Sequence, residues 1–152
     1  MYNKLVNKEA KLALVGLGYV DLPIALEFAR KISVIGFDIN EERLAKMRQG
    51  IDPCKELDHT AFEGADIKFT SSIDELREAS FFIVAVPTPI DRHNQPDLIP
   101  LLSATRSVAR ALKKGDYVVY ESTVYPGCTE EDCVPVLEEV SGLKDRLLAG
   151  EN

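Results

Sequence analysis

The chain has 152 residues, of which 45% are hydrophobic and 28% charged, and its formal net charge is -7. This is the size and composition of one globular domain, and the negative charge argues against nucleic acid or an anionic membrane surface as its main partner. No run of about 18 apolar residues is available to span a bilayer, and the N-terminus lacks the apolar core of a secretory signal.

Short apolar runs rich in β-branched residues alternate along the chain with longer helical patterns. These runs are almost continuously apolar, which is typical of strands covered on both faces of a sheet. The predicted strands are Lys11–Val15, Ser33–Asp38, Asp66–Thr70, Phe81–Val86 and Tyr117–Ser122.

The helical segments between these strands have recognisable ends. The predicted helices are Tyr19–Arg30, Glu41–Gln49 after the cap Asn40, a short helix from the capping box Ser72–Glu75 to Ala79, a long helix between Asp97 and Gly115, and a last one from Thr129 to about Val140, with a short helix near Glu56–Phe62 in an otherwise irregular stretch. Repetition of strand, helix and strand predicts parallel pairing with right-handed crossovers. The predicted fold class is therefore α/β, a Rossmann-like doubly wound parallel sheet in three layers with five to six strands.

The first strand ends in a glycine turn, Gly16-Leu17-Gly18, which also opens a helix. A dinucleotide-binding turn requires this setting, because Gly16 permits the tight turn, Gly18 lets the backbone approach a pyrophosphate, and free N–H groups at the helix start face the anion. Asp38, at the end of the second strand, is placed to accept hydrogen bonds from an adenosine ribose and to repel a 2′-phosphate, so NAD is favoured over NADP. The alternatives are glycines that end a strand for structural reasons alone, and an Asp38 that is only a solvated acid or a helix cap.

Asp21 stands where the third glycine of G-x-G-x-x-G is expected. A carboxylate in the first helical turn stabilises the helix, but it also competes with a pyrophosphate and repels it. The hypothesis is a site that keeps its shape and binds NAD more weakly than a glycine version would. The alternative is a side chain that points away and changes nothing.

Three cysteines, Cys54, Cys128 and Cys133, form no C-x-x-C pair. Neither a zinc site nor a disulfide framework is predicted, and no other metal site is expected. Reduced thiols in a cytoplasm fit this pattern best.

Six segments in order carry a family resemblance: "GLGYVDLPIALEFA", "GFDIN", "KFTSS", "VAVPTPID", "PDLIPLL" and "VVYESTVYPGCTEEDCVPVLE". Over Lys11 to Leu143 the chain resembles the nucleotide-sugar 6-dehydrogenases that act on UDP-glucose, UDP-N-acetylhexosamines and GDP-mannose. It is most similar to the branch that makes uronic acids for bacterial surface polysaccharides of the Vi type. The resemblance implies an NAD-binding domain, followed in the family by a central helix and a C-terminal domain that complete the sugar-nucleotide site and a homodimer.

The resemblance also implies roles for particular residues. Thr123 matches a family threonine beside the nicotinamide that helps to hold a catalytic water or the oxyanion. The implied cofactor-binding residues are Gly16, Gly18, Tyr19, Val20, Asp38, Val86, Pro87, Thr88, Glu121, Ser122 and Thr123. The segments "VPTP" and "EST" follow the carboxyl ends of predicted strands, the edge at which open α/β sheets bind ligands. The alternatives are a loop stiffened by two prolines and a threonine hydroxyl that satisfies a turn.

The expectation is a single NAD-binding domain over residues 1–152, without the family's central helix and C-terminal UDP-sugar domain. The family performs two hydride transfers that oxidise the C6 alcohol to a carboxylate through a thiohemiacetal, and none of the three cysteines matches its nucleophile. The chain alone is therefore expected to be inactive, with NAD as its partner, a UDP-sugar only when the missing domain is present, and self-association as a homodimer. The rival interpretation is a non-enzymatic dinucleotide-binding or regulatory module.

Overall fold

The structure, a computed structural model, describes residues 2–17, 21–55, 57–86, 90, 92–95, 97–121 and 133–142, with the backbone only at Asp21. Its strands are β1 (Lys11–Val15), β2 (Val34–Phe37), β3 (Ile67–Thr70), β4 (Ala79–Val84) and β5 (Tyr117–Tyr120). They form one sheet in the order β3-β2-β1-β4-β5, and every pairing is parallel. The predicted doubly wound parallel sheet is confirmed.

Helices cover both faces of this sheet. They are α1 (Tyr2–Val6), α2 (Asp21–Ala29), α3 (Glu41–Arg48), α4 (Ile73–Leu76), α5 (Ile99–Ala111) and α6 (Val134–Ser141), with a 3₁₀ helix at His59–Phe62. Side chains of α2 and α3 join the core on one face, and those of α4 and α5 join the core on the other. No helix in the described ranges is both long and apolar enough to cross a bilayer.

The core has two clusters because successive residues of a strand point to opposite faces. On the first face Leu14 of β1 packs with Leu26 of α2 and Met47 of α3. On the second face Val15 packs with Val108 of α5. Burial of both faces explains why the central strands are almost continuously apolar.

The strand order reverses at β1: β2 and β3 are added on one side of it, and β4 and β5 on the other. This position is called the reversal point below. In the pairing register Val15 lies opposite both Phe37 of β2 and Val84 of β4. The carboxyl ends of the three strands are therefore level, and the loops that follow them meet at one edge. Open α/β sheets bind their ligands in the crevice at such a reversal point.

Two helix caps are confirmed. The Asn40 side chain accepts a hydrogen bond from the Arg43 N–H, and the Ser72 side chain accepts one from the Glu75 N–H. Gly142 ends α6 with a φ of 72°, which is the left-handed conformation that favours glycine at a helix C-terminus.

The fourth strand and the helix before it differ from prediction. The strand predicted at Phe81–Val86 lies at Ala79–Val84, and α4, predicted to reach Ala79, ends at Leu76. Ala79 pairs with Lys11 of β1 and is fully buried. Strand pairing at this position therefore overrides the local helical pattern.

Strand β5 is covered on one face only by the described residues. Val118 and Tyr120 pack against the second cluster, whereas Tyr117 and Val119 remain 42% and 39% exposed. For the described part of the chain, the prediction that every strand is covered on both faces is therefore wrong at β5.

Helix α1 was not predicted, and a hydrogen-bonded group holds the segment after it to the sheet. Leu5 of α1 is buried in the first cluster. The Asp66 carboxylate accepts hydrogen bonds from the Ser33 hydroxyl at 2.7 Å and from the Lys8 ammonium at 2.9 Å. The Ser33 bond, followed by the Lys8 bond, lowers the pKa of Asp66 below its ordinary value of 3.8.

Candidate functional site

A cavity of about 450 Å³ lies at the carboxyl ends of β1, β2 and β4. Its walls come from the glycine turn, the tip of β2, the start of α3, the residues after β4 and the first turns of α5. This volume and this position at the reversal point are typical of small-molecule sites in open α/β sheets.

The glycine turn closes one side of the cavity. Gly16 has a φ of +94°, and a Cβ added there would lie 2.5 Å from the carbonyl oxygen of Ala85. Its N–H donates to the carbonyl of Phe37 at 2.9 Å. Only glycine fits this position, since the turn passes directly against the end of β4 in a left-handed conformation.

Asp38 lies against this turn. One oxygen of its half-buried carboxylate accepts the Leu17 N–H at 3.3 Å, and the other accepts the Asn40 N–H at 3.0 Å. A carboxylate offers about four lone-pair positions, so each oxygen can accept a further hydrogen bond from a ligand. The structure thus brings together Gly16 and Asp38, two of the residues predicted from the sequence.

Arg43 is a site residue that the sequence analysis missed. Its Nη2 donates to the carbonyl of Leu17, while its Nε is buried without a hydrogen-bond partner in the described part of the chain. A buried donor without an acceptor is costly, so the Nε is available to an acceptor outside the described residues, such as a ligand. The available signal was position, because a helix that starts just after the tip of β2 brings its first turn back toward the glycine turn.

Apolar residues and two hydroxyls line the rest of the cavity. Ile39 follows Asp38, and Ile99 begins α5; they are 75% and 74% exposed, although both line the cavity. Ser103 and Ser107 come from the next turns of α5. The cavity therefore has charged side chains at the glycine turn, and apolar side chains together with two hydroxyls on α5.

The other predicted site residues have different outcomes. Val86 lines the cavity. Glu121 follows β5, is exposed, and donates its N–H to Val84 at 2.9 Å, but it is not part of the cavity wall. The residues that lie outside the described ranges and remain predictions are Gly18, Tyr19, Val20, Pro87, Thr88, Ser122 and Thr123, together with the side chain of Asp21.

A larger groove, of about 880 Å³, runs along the outer edge of β3. Its charged side chains are already paired, Arg48 with Glu41 at 3.5 Å and Lys68 with Glu75 at 3.4 Å. A hydrogen bond from Thr70 is the main cause that lowers the pKa of Glu75, and Lys68 adds to it. We assign the site to the smaller cavity, because it lies at the reversal point and contains the Arg43 Nε, which has no hydrogen-bond partner among the described residues.

Comparisons with known proteins identify the family of the chain. Residues 10–148 match the family described as the UDP-glucose/GDP-mannose dehydrogenase family, NAD binding domain. The UDP-N-acetyl-D-glucosamine 6-dehydrogenase of Pseudomonas aeruginosa is 57% identical over 138 residues, covering 90% of this chain and 33% of that protein. The enzyme of the same name from Salmonella typhi is 49% identical over 136 residues, which cover 89% of this chain and 32% of that protein.

A solved structure is also similar along most of the chain. The UDP-D-ManNAc dehydrogenase of Pyrococcus horikoshii is 36% identical, with a TM-score of 0.79 over 90% of this chain and 34% of that one. The chain thus spans about a third of the length of the curated relatives that it matches.

Proposed function

The chain belongs to the UDP-glucose/GDP-mannose dehydrogenase family, as its NAD-binding domain, and on that premise we propose that NAD binds in the cavity formed by the glycine turn, Asp38 and Arg43. Membership confirms the resemblance and the cofactor predicted from the sequence. The observation that carries the proposal is the hydrogen bond from the Leu17 N–H to Asp38, which holds a carboxylate beside the turn.

The residues present fit an adenine dinucleotide. The position of Gly16 leaves no room for a side chain where the backbone must approach a diphosphate. Asp38 can accept from ribose hydroxyls, and the Arg43 Nε can donate to a ribose or phosphate oxygen. When bound, NAD supplies the hydride acceptor, while these residues bind and orient its adenosine half.

The remaining cofactor contacts extend from this cavity along the same edge of the sheet. We assign Gly18, Tyr19 and Val20 to the pyrophosphate. Toward the nicotinamide, the proposed contacts are Val86, Pro87, Thr88, Glu121, Ser122 and Thr123, with Thr123 holding a catalytic water or the oxyanion. Support comes from Val86 and Glu121, which follow the adjacent ends of β4 and β5.

The proposed reaction of the whole enzyme is the NAD-dependent oxidation of the C6 alcohol of a UDP-N-acetylhexosamine to a carboxylate, for a surface polysaccharide. It is supported by the names of the relatives from Pseudomonas aeruginosa and Salmonella typhi, both UDP-N-acetyl-D-glucosamine 6-dehydrogenases. A further domain supplies the sugar-nucleotide half of the site. A homodimer and a cytoplasmic location belong to the same proposal.

Calorimetric titration of NAD into the wild type and Asp38→Asn tests the site. Asp38→Asn loses charge-assisted hydrogen bonds to the ribose, so its affinity for NAD is expected to fall by about 10- to 100-fold. The affinity of Asp38→Asn for NADP is expected to fall less than its affinity for NAD, or to rise. The reason is that the 2′-phosphate no longer meets a carboxylate and lies near Arg43.

Glu42→Gln is the matched control, since it removes one exposed carboxylate from α3 outside the cavity. It should leave NAD binding unchanged. Equal NAD affinity of the wild type and Asp38→Asn, with both chains folded by circular dichroism, would contradict the proposed site.

A second titration compares two arginines of α3. Arg43→Met is expected to lower the affinity for NAD about tenfold or more, because it removes the hydrogen-bond donor that the buried Nε offers. Arg48→Met should have no effect, since Arg48 lies in the groove of β3 and bonds to the carbonyl of Phe69. Equal losses in both variants would show a general effect of charge rather than a contact in the site.

A further inference from the structure

We propose that the Ser107 hydroxyl selects for the 6-amino group of the adenine base, a specificity that rests on the proposed NAD site. The cavity has two groups of polar side chains. Asp38 accepts from the Leu17 N–H and Arg43 donates to the Leu17 carbonyl at the glycine turn, and Ser103 and Ser107 line the cavity from α5.

The distribution of these groups orients a bound adenosine. Carboxylate and guanidinium groups suit the ribose and the diphosphate, so the base extends away from the turn and toward α5. The part of the wall that α5 forms includes Ile99 and Ala104, apolar side chains suited to the faces of a purine. The edge of the base then meets the serine hydroxyls.

Ser107 differs from Ser103 in its hydrogen bonding. The Ser107 hydroxyl donates its single hydrogen to the backbone carbonyl of Ser103 at 3.3 Å, one helical turn earlier. While this bond is kept, its oxygen is left to accept from a ligand. The Ser103 hydroxyl makes no hydrogen bond to the described residues, so it can rotate to donate or to accept.

An acceptor at this position distinguishes two classes of purine. Adenine carries a 6-amino group, which donates, whereas hypoxanthine and guanine carry a 6-oxo group, which accepts. A 6-oxo purine would place its lone pairs against those of Ser107, and both acceptors would lose their bonds to water. Ser107 is half-buried beside an apolar wall, which limits replacement of that lost bond by solvent.

The test measures the dissociation constants of NAD and of nicotinamide hypoxanthine dinucleotide by calorimetry. The wild type is expected to prefer NAD by about three- to tenfold, the contribution of one hydrogen bond between neutral groups. Ser107→Ala should remove this preference, and alanine maintains the helix. Ser103→Ala is the matched comparison: it can change both affinities, because Ser103 also lines the cavity, but it should keep their ratio, because a hydroxyl that can donate or accept serves either base and the backbone carbonyl that holds the Ser107 hydrogen is retained.

The same comparison with ADP-ribose and its inosine counterpart should give the same ratio, since neither carries a nicotinamide. Equal affinity of the wild type for the two dinucleotides overturns the selectivity and leaves the NAD site standing. An unchanged preference in Ser107→Ala overturns the role of Ser107. Failure of both dinucleotides to bind the folded wild type overturns the proposed function as well.

Discussion

Gly16 and Gly115 have nearly the same φ angle in different surroundings. Their φ angles are +94° and +90°, a region that costs an L-residue about 1–2 kcal/mol. A Cβ on Gly16 would meet the Ala85 carbonyl and the Val86 side chain, whereas one on Gly115 would meet nothing within 4 Å. Alanine substitutions at the two glycines therefore distinguish the cost of backbone strain, common to both, from the cost of steric overlap, which occurs only at Gly16.

Gly16→Ala is expected to lower the free energy of unfolding by about 2–5 kcal/mol, as overpacking adds roughly 1–3 kcal/mol to the strain. Gly115→Ala should lower the free energy of unfolding by the backbone strain alone, about 1–2 kcal/mol. Urea unfolding followed by circular dichroism measures both variants. Equal losses would contradict the close approach of the turn to β4.

At this scale the sequence predicted backbone requirements better than side-chain partners. Gly16 and Asp38 could be predicted because a tight turn after a strand and an acid at the next strand's tip have fixed places in the fold. Arg43 was missed, because its position at the start of α3 indicates only proximity to the turn, whereas its role depends on a three-dimensional contact with the Leu17 carbonyl. The hydrogen-bond difference between Ser103 and Ser107 likewise exists only once α5 is formed.

At the scale of elements, the link between the end of α1 and the sheet depends on the ionisation of Asp66. Its carboxylate joins Lys8, just after α1, to Ser33, just before β2. Because the pKa of Asp66 is lowered in the folded chain, the carboxylate contributes its full stabilisation above the unfolded pKa. That contribution is lost as the pH falls through the lower, folded-state pKa.

Ser33→Ala is therefore expected to raise the pKa of Asp66 toward 3.8. At pH 7 it should cost about 0.5 kcal/mol, the low end for a hydrogen bond because the Asp66 side chain is half exposed. The difference from the wild type should shrink as the pH falls below 3.8 and vanish below the folded-state pKa. An NMR titration of the Asp66 carboxyl, with denaturation at each pH, measures both effects.

Ser33→Thr keeps a hydroxyl and serves as the control for this prediction. It should hold the pKa of Asp66 close to the wild-type value. A stability difference between Ser33→Ala and the wild type that is the same at every pH would show that Ser33 acts through packing.

The predicted element boundaries were wrong where pairing between segments distant in the sequence decides the conformation. Ala79 continues a helical pattern locally, but it begins β4 because it pairs with Lys11, far away in the sequence. The apolar run Tyr117–Tyr120 looks like a strand buried on both faces, yet among the described strands it lies at the sheet edge, and the described residues leave one of its faces partly exposed. A single sequence does not contain the strand order that distinguishes these cases.

At the scale of the whole molecule, the alternation of strands and helices was sufficient to predict the architecture. Each of the five predicted strands overlaps an observed one, and the sheet is parallel and doubly wound. Handedness and parallel pairing follow from general rules of chain connection. They also determine where the site lies, because loops after β1, β2 and β4 must meet at one edge.

The central claim is that a dinucleotide binds at this edge, against the Leu17 peptide and Asp38, and not in the larger groove beside β3. An amide ¹H–¹⁵N NMR spectrum recorded during titration with NAD tests it directly. The amides of Leu17 and Asn40, which both donate to Asp38, should shift and saturate together, while those of Lys68 and Ser71 in the groove stay in place. Shifts confined to the groove, or none at saturating NAD, would contradict the account.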